Sequence, residues 1–316
     1  MAELYTVTGG CGFIGGHLVR ALRAAGHKVR VLDDLSTGHR EVLPAGVALI
    51  EGDVADPAAM AAASEGASGI FHLAAVASVE RCNREYRTAH RTNLGGTVTV
   101  FETARDAGCI PVTWASSAAV YGAADEMPIG EDAPKGPLSP YGADKLGGEL
   151  HAAAAANVFG LPSTALRFFN VYGPGQDPAS PYSGVISIFA DRMARGRDVT
   201  IYGDGGQSRD FIYVADVVRG LMAAMDRMHR ATAPRFDAIN LCTGRETTVG
   251  ELALLVKRLL DAPGAIEHAA ARTGDIRRSI GDPTRMKGLL GIEAGTALET
   301  GLVALLEHDA PVLASA

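Results

Sequence analysis

Residues 6–22, "TVTGGCGFIGGHLVRAL", decide the fold. The stretch joins an apolar, β-branched run to a helical pattern and sets Gly9, Gly12 and Gly15 at three-residue spacing across the junction. Glycines there allow a tight turn, close approach of backbone to a pyrophosphate, and close packing of helix on sheet, while the helix N-terminus offers N–H donors. The spacing alone also fits a plain tight turn. The next apolar run, "KVRVLD" (28–33), strengthens the dinucleotide reading, because it ends in Asp33 and Asp34. Carboxylates about 20 residues downstream can accept hydrogen bonds from a ribose diol. They would also repel a 2′-phosphate, so the expected cofactor is NAD rather than NADP. The bland alternative makes "DDLSTGH" a solvated loop. Further on, "EGDV" puts Asp53 after a third strand, either facing the adenine or capping the following helix.

The same rhythm continues outward. Short apolar runs at 4–8, 28–33, 47–52, 69–74, 110–116 and 162–169 alternate with helical patterns near 13–25, 57–65, 83–108 and 140–159. Strict alternation predicts an α/β protein, a Rossmann-type doubly wound parallel sheet covered by helices on both faces. After "NVYGPGQ" (170–176) the elements shorten: helices at 185–196, 214–228, 248–260 and 295–307, strands near 199–202, 211–213, 236–241 and 265–269. The runs at 211–213 and 236–241 are expected to return to the main sheet. This gives an NAD-binding domain of residues 1–169 plus about 211–243, and a smaller C-terminal α/β substrate lobe of about 170–210 plus 244–316.

Composition narrows the partners. The chain is 47 % hydrophobic and 21 % charged with a formal charge of -7, so neither nucleic acid nor an anionic membrane is an expected partner. No apolar run reaches the roughly 18 residues of a membrane span, and "LYTVT" opens the chain without a signal-like leader, so a cytoplasmic location is expected. Cys11, Cys82, Cys109 and Cys242 show no CxxC spacing or His/Cys cluster, which predicts neither disulfide nor metal.

Chemistry is suggested by "SPYGADKLGGE" (139–149), where Tyr141 stands four residues before Lys145. Residues at that spacing share one helix face. A nearby ammonium favours the phenolate of a tyrosine whose ordinary pKa is about 10. An exposed helical pair is the plain alternative.

With these pieces in place the sequence resembles the extended short-chain dehydrogenase/reductase family, and within it the nucleotide-sugar 4-epimerases of the UDP-glucose/UDP-N-acetylglucosamine type. The matching segments are "TGGCGFIG", "DDLSTG", "GDV", "FHLAAVASV", "TNLGGT", "ASSAAVYG", "SPYGADK", "LRFFNVYGPGQDP", "IYGDGGQSRDFIYVADV" and "RTGD", in order along nearly the whole chain. The resemblance implies that Phe13 and Ile14 lie in the pyrophosphate turn and that Leu35, Ser36, Thr37, Gly38 and Val54 complete the adenosine side. It further implies that Leu73, Ala74, Ala75 and Ala77 line the cofactor's path, with Asn93 and Ser116 on the same side and Phe169 closing over the nicotinamide. From the residues alone, Asn93 reads as a buried hydrogen-bonding group and Phe169 as core.

By the same resemblance Tyr141 is the base, Lys145 its partner and ribose anchor, and Ser117 the hydroxyl that holds the reacting oxygen; Ser116 competes locally as a turn or cap. The UDP-sugar is expected on Asn170 and Arg209 (diphosphate), Arg272 and Asp275 (diphosphate and ribose) and Tyr202 (uracil), with Ser78, Val185 and Ser279 nearby. Ala118 and Ala119 stand where sugar dehydratases carry an acid, so elimination lacks its second acid/base pair. Asn170 and Asp177 stand where uronate epimerases differ, and the small Ser279 leaves room for an N-acetyl group. Ala77 departs from the lysine of some epimerases. The expected reaction is reversible C4 epimerisation of a UDP-hexose through a 4-keto sugar, by a homodimer contacting through helices at 92–108 and 141–158. The alternatives are net oxidoreduction, uronate epimerisation or dehydration of a nucleotide sugar, or a non-catalytic dinucleotide sensor.

Overall fold

In the computed structural model the chain begins β1 (Leu4–Thr8), α1 (Phe13–Ala24), β2 (Lys28–Asp33), β3 (Ala48–Glu51), α2 (Pro57–Ser64), β4 (Gly69–His72). It continues with α3 (Val79–Arg84), α4 (Tyr86–His90), α5 (Gly96–Asp106), β5 (Val112–Ser117), α6 (Pro140–Phe159) and β6 (Ser163–Phe168). Then follow β7 (Asn170–Tyr172), α7 (Val185–Ala194), β8 (Val199–Tyr202), β9 (Ser208–Arg209), β10 (Phe211–Tyr213), α8 (Val214–Arg230) and β11 (Phe236–Leu241). The last elements are β12 (Thr247–Thr248), α9 (Val249–Leu260), β13 (Ile266–Ala269), β14 (Arg278–Ser279), α10 (Thr284–Leu290) and α11 (Leu298–Ala314). The structure describes residues 2–176, 184–231, 233, 235–272 and 274–314, and Asp177 lies outside them.

Among the described residues the main sheet has seven strands in the order β11-β6-β5-β4-β1-β2-β3, all parallel. The order reverses between β1 and β4, which puts the ligand crevice at their carboxyl ends. Leu18, Leu22, Leu221 and Met225 of α1 and α8 pack on one face against Val7, Val31 and Ile239. On the other face Met60, Val100, Phe101 and Ala152 close over Ile70 and Trp114. A second core joins α7, α9 and α11 to β8 through Ile186, Phe189, Val199, Leu252, Val256 and Leu302. No helix among the described residues is long and apolar enough to cross a membrane.

Two expectations are corrected. The 211–213 run stays outside the main sheet: β10 pairs in parallel with β7, Phe211 opposite Asn170 and Tyr213 opposite Tyr172. The place beside β6 is taken by β11, from Phe236 opposite Ser163 to Leu241 opposite Phe168. The helix expected over 83–108 is instead α3, α4 and α5, broken at Glu85 (φ -109°, ψ 43°) and widened to a π turn over Arg91–Gly95.

Candidate active site

The glycine turn is a cradle with no room for a Cβ at Gly9 or Gly15. Gly9 has φ +70°, and a Cβ there would lie 2.6 Å from the Ala74 nitrogen. A Cβ on Gly15 would lie 2.0 Å from the Gly9 oxygen. Gly12 precedes α1 with neither a side-chain cap nor an acid in the first turn, so the N–H groups at Phe13 and Ile14 face no carboxylate of their own. Asp33 is buried and ties the turn to β2: Oδ2 accepts from the Cys11 N–H at 2.9 Å and Oδ1 from the Leu35 N–H at 2.9 Å. Burial pushes the Asp33 carboxyl up while these donors pull it back. Each oxygen keeps acceptor capacity for a diol.

Beyond it, Asp34 Oδ1 accepts from the Ser36 N–H and hydroxyl, Leu35 is left-handed (φ 56°), Thr37 is exposed, and Gly38 packs where a Cβ would be 2.8 Å from the Cys11 Cβ. Val54 is buried behind the loop. Asp53 does not cap α2; Asp56 does, accepting from the Ala58 N–H. Asp53 accepts from the Ala55 N–H and pairs with Arg91 at 2.9 Å.

A polar spine that the sequence reading missed runs under the crevice. Thr97 donates its hydroxyl to the Asn93 carbonyl at 2.6 Å, so it accepts from His72 Nε2 at 3.0 Å. His72 Nδ1 then accepts from the Thr8 hydroxyl at 2.8 Å, and the Thr8 oxygen accepts the Leu73 and Ala74 N–H groups, each at 3.2 Å. Its signal was a lone histidine closing the apolar run "GIFH". Asn93 fulfils the residue-only reading: buried, it accepts from the Val76 N–H at 2.8 Å and donates to the Val76 carbonyl at 3.2 Å. The two contacts fix the segment that holds Leu73, Ala74 and Ala75 half-buried and Ala77 exposed. Ser78 caps α3, accepting from the Arg81 N–H.

Ser117, Tyr141 and Lys145 converge. Ser139 caps α6 by accepting from the Gly142 N–H at 3.1 Å, with Pro140 in the first turn. Gly142 lets that turn approach the residues after β5, since a Cβ there would lie 2.6 Å from the Ala119 oxygen. This brings Tyr141 beside Ser117, whose Oγ accepts from the Ala119 N–H at 3.1 Å. Lys145 is buried, donates to the Ala115 carbonyl at 2.7 Å, and sits 5.7 Å from the centre of the Tyr141 ring. Burial pushes Tyr141 up to about 12, with the nearby Ser117 hydroxyl pulling back, and pushes Lys145 down to about 8, with Asp144 pulling back.

Side chains alternate along a strand, so Ser116 points the other way and donates to Glu149 Oε1 at 2.6 Å, beside the buried Arg167–Glu149 pair. Phe169 is buried with Val120, Tyr121 and Cys242.

Outside the main sheet Arg209 donates to the Ser208 and Ile276 carbonyls and, at 2.6 Å, to Asp275 Oδ1. Ser279 pairs beside Arg209 in the β14–β9 ladder. The Arg272 guanidinium lies 4.0 Å from the centre of the Tyr202 ring. Asn170 is exposed at the start of β7, and Val185 opens α7 half-buried. A further residue missed from sequence, Asp210, is fully buried and accepts from the Thr243 N–H and hydroxyl and the Gly244 N–H, anchoring β9 and β10 to the loop after β11. Among the described residues no cluster of three or more His, Cys, Asp or Glu side chains could hold a metal.

Comparison with known proteins places nearly the whole chain among similar sequences and folds. The family model described as NAD dependent epimerase/dehydratase family matches residues 5–242. The UDP-glucose 4-epimerase of Mycolicibacterium smegmatis is 37 % identical over 310 residues, spanning 95 % of this chain and 96 % of that one. The crystal structure of UDP-glucose 4-epimerase with UDP-glucose from Thermotoga maritima superposes with a TM-score of 0.93 at 37 % identity, covering 98 % of this chain and 99 % of that one. The UDP-N-acetylglucosamine 4-epimerase of Methanobrevibacter ruminantium M1, in complex with UDP-N-acetylmuramic acid, gives 0.92 at 31 % identity, with 98 % and 99 % covered. The matched span runs from β1 to the loop after β11, taking in the glycine cradle and the Ser117–Tyr141–Lys145 cluster, and the chain belongs to the NAD dependent epimerase/dehydratase family.

Proposed function

We propose that the protein is an NAD-dependent 4-epimerase of UDP-hexoses, interconverting UDP-glucose and UDP-galactose and accepting their N-acetyl forms. The observation that carries this reading is the meeting of Ser117, Tyr141 and Lys145, at the carboxyl edge of a sheet whose first turn has no room for a Cβ at Gly9 or Gly15. That cradle fits a dinucleotide pyrophosphate, and Asp33 fits the adenosine ribose. NAD, when bound, supplies the hydride acceptor for oxidation at C4 and the donor for its return.

The chain's own residues handle the proton. Tyr141 takes it from the 4-hydroxyl and gives it back, which requires its pKa to fall from about 12 toward neutrality. Positive charge close by supplies that fall, and Lys145 is the protein's contribution. Ser117 donates a hydrogen bond to the reacting oxygen. Ala118 and Ala119 bring no second acid, which disfavours elimination. Arg209 and Arg272 offer paired cations for a diphosphate, Asp275 and Asn170 polar partners, Tyr202 an aromatic face for the uracil, and Val185, Ser78 and the small Ser279 the remaining wall. The relatives named for UDP-glucose and for UDP-N-acetylglucosamine support both substrate classes.

Two further features belong to the same reading. The exposed Val98 and Leu150 on α5 and α6 suit a homodimer contacting through those helices. Free cysteines at 11, 82, 109 and 242 suit a reducing cytoplasm.

Incubation of the purified protein with a panel of UDP-sugars, read by NMR for the configuration at C4, tests the proposal. We expect UDP-glucose and UDP-galactose to interconvert without accumulating NADH. Stoichiometric NADH with no C4 epimer would overturn it.

A further inference from the structure

Lys145 has a buried carboxylate beside it that the chemistry above does not use. Asp144 is 7 % exposed; its Oδ1 lies 2.6 Å from His90 Nδ1 of α4, and its Oδ2 has no hydrogen-bond partner among the described residues. An unpartnered oxygen on a buried acid is expensive and calls for an explanation. The His90 side chain is 52 % exposed, so the pair reaches from the surface of α4 to the interior of α6. On α6, Asp144 and Lys145 follow Tyr141 at i+3 and i+4, on one helix face.

The titratable groups facing this ammonium are His72 from β4, Cys82 from α3, and Tyr141 and Asp144 from α6 itself. β5 contributes the Ala115 carbonyl. Facing Asp144 are His90 from α4 and Cys82 from α3. Burial holds His72 down at about 3, and so neutral, while it pushes the Cys82 thiol up and Tyr141 up to about 12, keeping both protonated. Asp144 is left as the counter-charge.

We propose that Asp144, steered by His90, is a positioning residue for the reaction: its carboxylate keeps Lys145 an ammonium inside the fold, so that Lys145 can lower the proton affinity of Tyr141. The proposal rests on the Tyr141–Lys145 chemistry given above. Its sign is fixed. The ammonium is lost as pH rises through the Lys145 pKa, and removing the carboxylate takes away the largest influence opposing burial, so the loss comes at lower pH.

The test uses the full-length protein with NAD bound and its lysines labelled with carbon-13. The chain has lysines at 28, 135, 145, 257 and 287, and the Lys145 Cε resonance is assigned by its disappearance in Lys145→Met. We expect Asp144→Asn to lower the Lys145 midpoint by about half a pH unit or more. The alkaline limb of kcat for UDP-hexose epimerisation should move the same way with KM little changed, and Asp144→Glu should restore both. Asp144→Ser, smaller and still able to accept from His90, gives the same measurement if the asparagine variant does not fold. A midpoint that stays put in either variant overturns the role of Asp144. Should no UDP-hexose be epimerised, the epimerase reading fails while the midpoint still decides Asp144; should epimerisation stand and the midpoint not move, Asp144 alone fails.

Discussion

Tyr141 and Lys145 are shifted in opposite directions by the same burial, one up to about 12 and the other down to about 8. Both shifts favour the neutral pair, so Tyr141, as the proposed base, needs additional positive charge close by before it gives up its proton. Replacing Tyr141 with Phe removes the hydroxyl and little else: epimerisation should fall by about 10²–10⁴, while NAD binding measured by calorimetry stays close to normal. His72 gives a pH prediction of another kind. Its unfolded pKa is about 6.5 and its folded value about 3, so between them the unfolded chain binds the extra proton. Stability from this group is present above pH 6.5 and declines as pH falls, by up to about 1.4 kcal/mol per unit. Urea midpoints measured from pH 7 to 4 should fall less steeply in His72→Gln; equal slopes would remove His72 from the acid response.

At the scale of elements, the start of α6 decides whether the site forms. Ser139, Pro140 and Gly142 are legible as a helix start, and the boundary expected at 140 is where α6 begins. The sequence did not tell why Gly142 must be a glycine. A Cβ there meets the Ala119 backbone oxygen at 2.6 Å, and relief requires the first turn, with Tyr141, to move away from Ser117. Displacement on that scale is worth about 10²-fold in rate, so Gly142→Ala should lose kcat at least about tenfold while circular dichroism and NAD binding hold. Full activity would show that the turn absorbs the methyl group elsewhere. The broken helix over 79–106 was invisible for a related reason. Its apolar spacing reads as continuous, but the widened turn at Arg91–Gly95 delivers Asn93 to Val76, a contact with a segment far along the chain.

For the whole molecule, the main sheet carries a core on each face, a further core joins α7, α9 and α11 to β8, and short ladders link the elements between them. β7 leaves the sheet after Phe169, pairs with β10, and Asp210 locks that ribbon to the loop after β11. Leu150 and Val98 remain exposed on the outer helices, 66 % and 37 % respectively, which suits burial by a second copy. Sedimentation of the wild-type protein should give a dimer, and Leu150→Glu should shift it toward monomer with each folded chain intact; a monomer from the outset would dismiss the proposed contact.

The sequence by itself determined the sheet's run of strands, the glycine cradle, the acids after β2, and the Tyr141–Lys145 pair, because these rest on local periodicity, turn chemistry and i,i+4 spacing. It also carried the family. The tertiary structure decided which side chains face one another. Ser117 meets Tyr141 while Ser116 turns to Glu149; Asp53 pairs with Arg91 rather than capping α2; and β10 leaves the sheet to β11. His72, Asp144 and Asp210 acquire their roles only through partners distant in the chain. Such contacts depend on burial and on strand and helix neighbours, which apolar spacing along one segment does not encode.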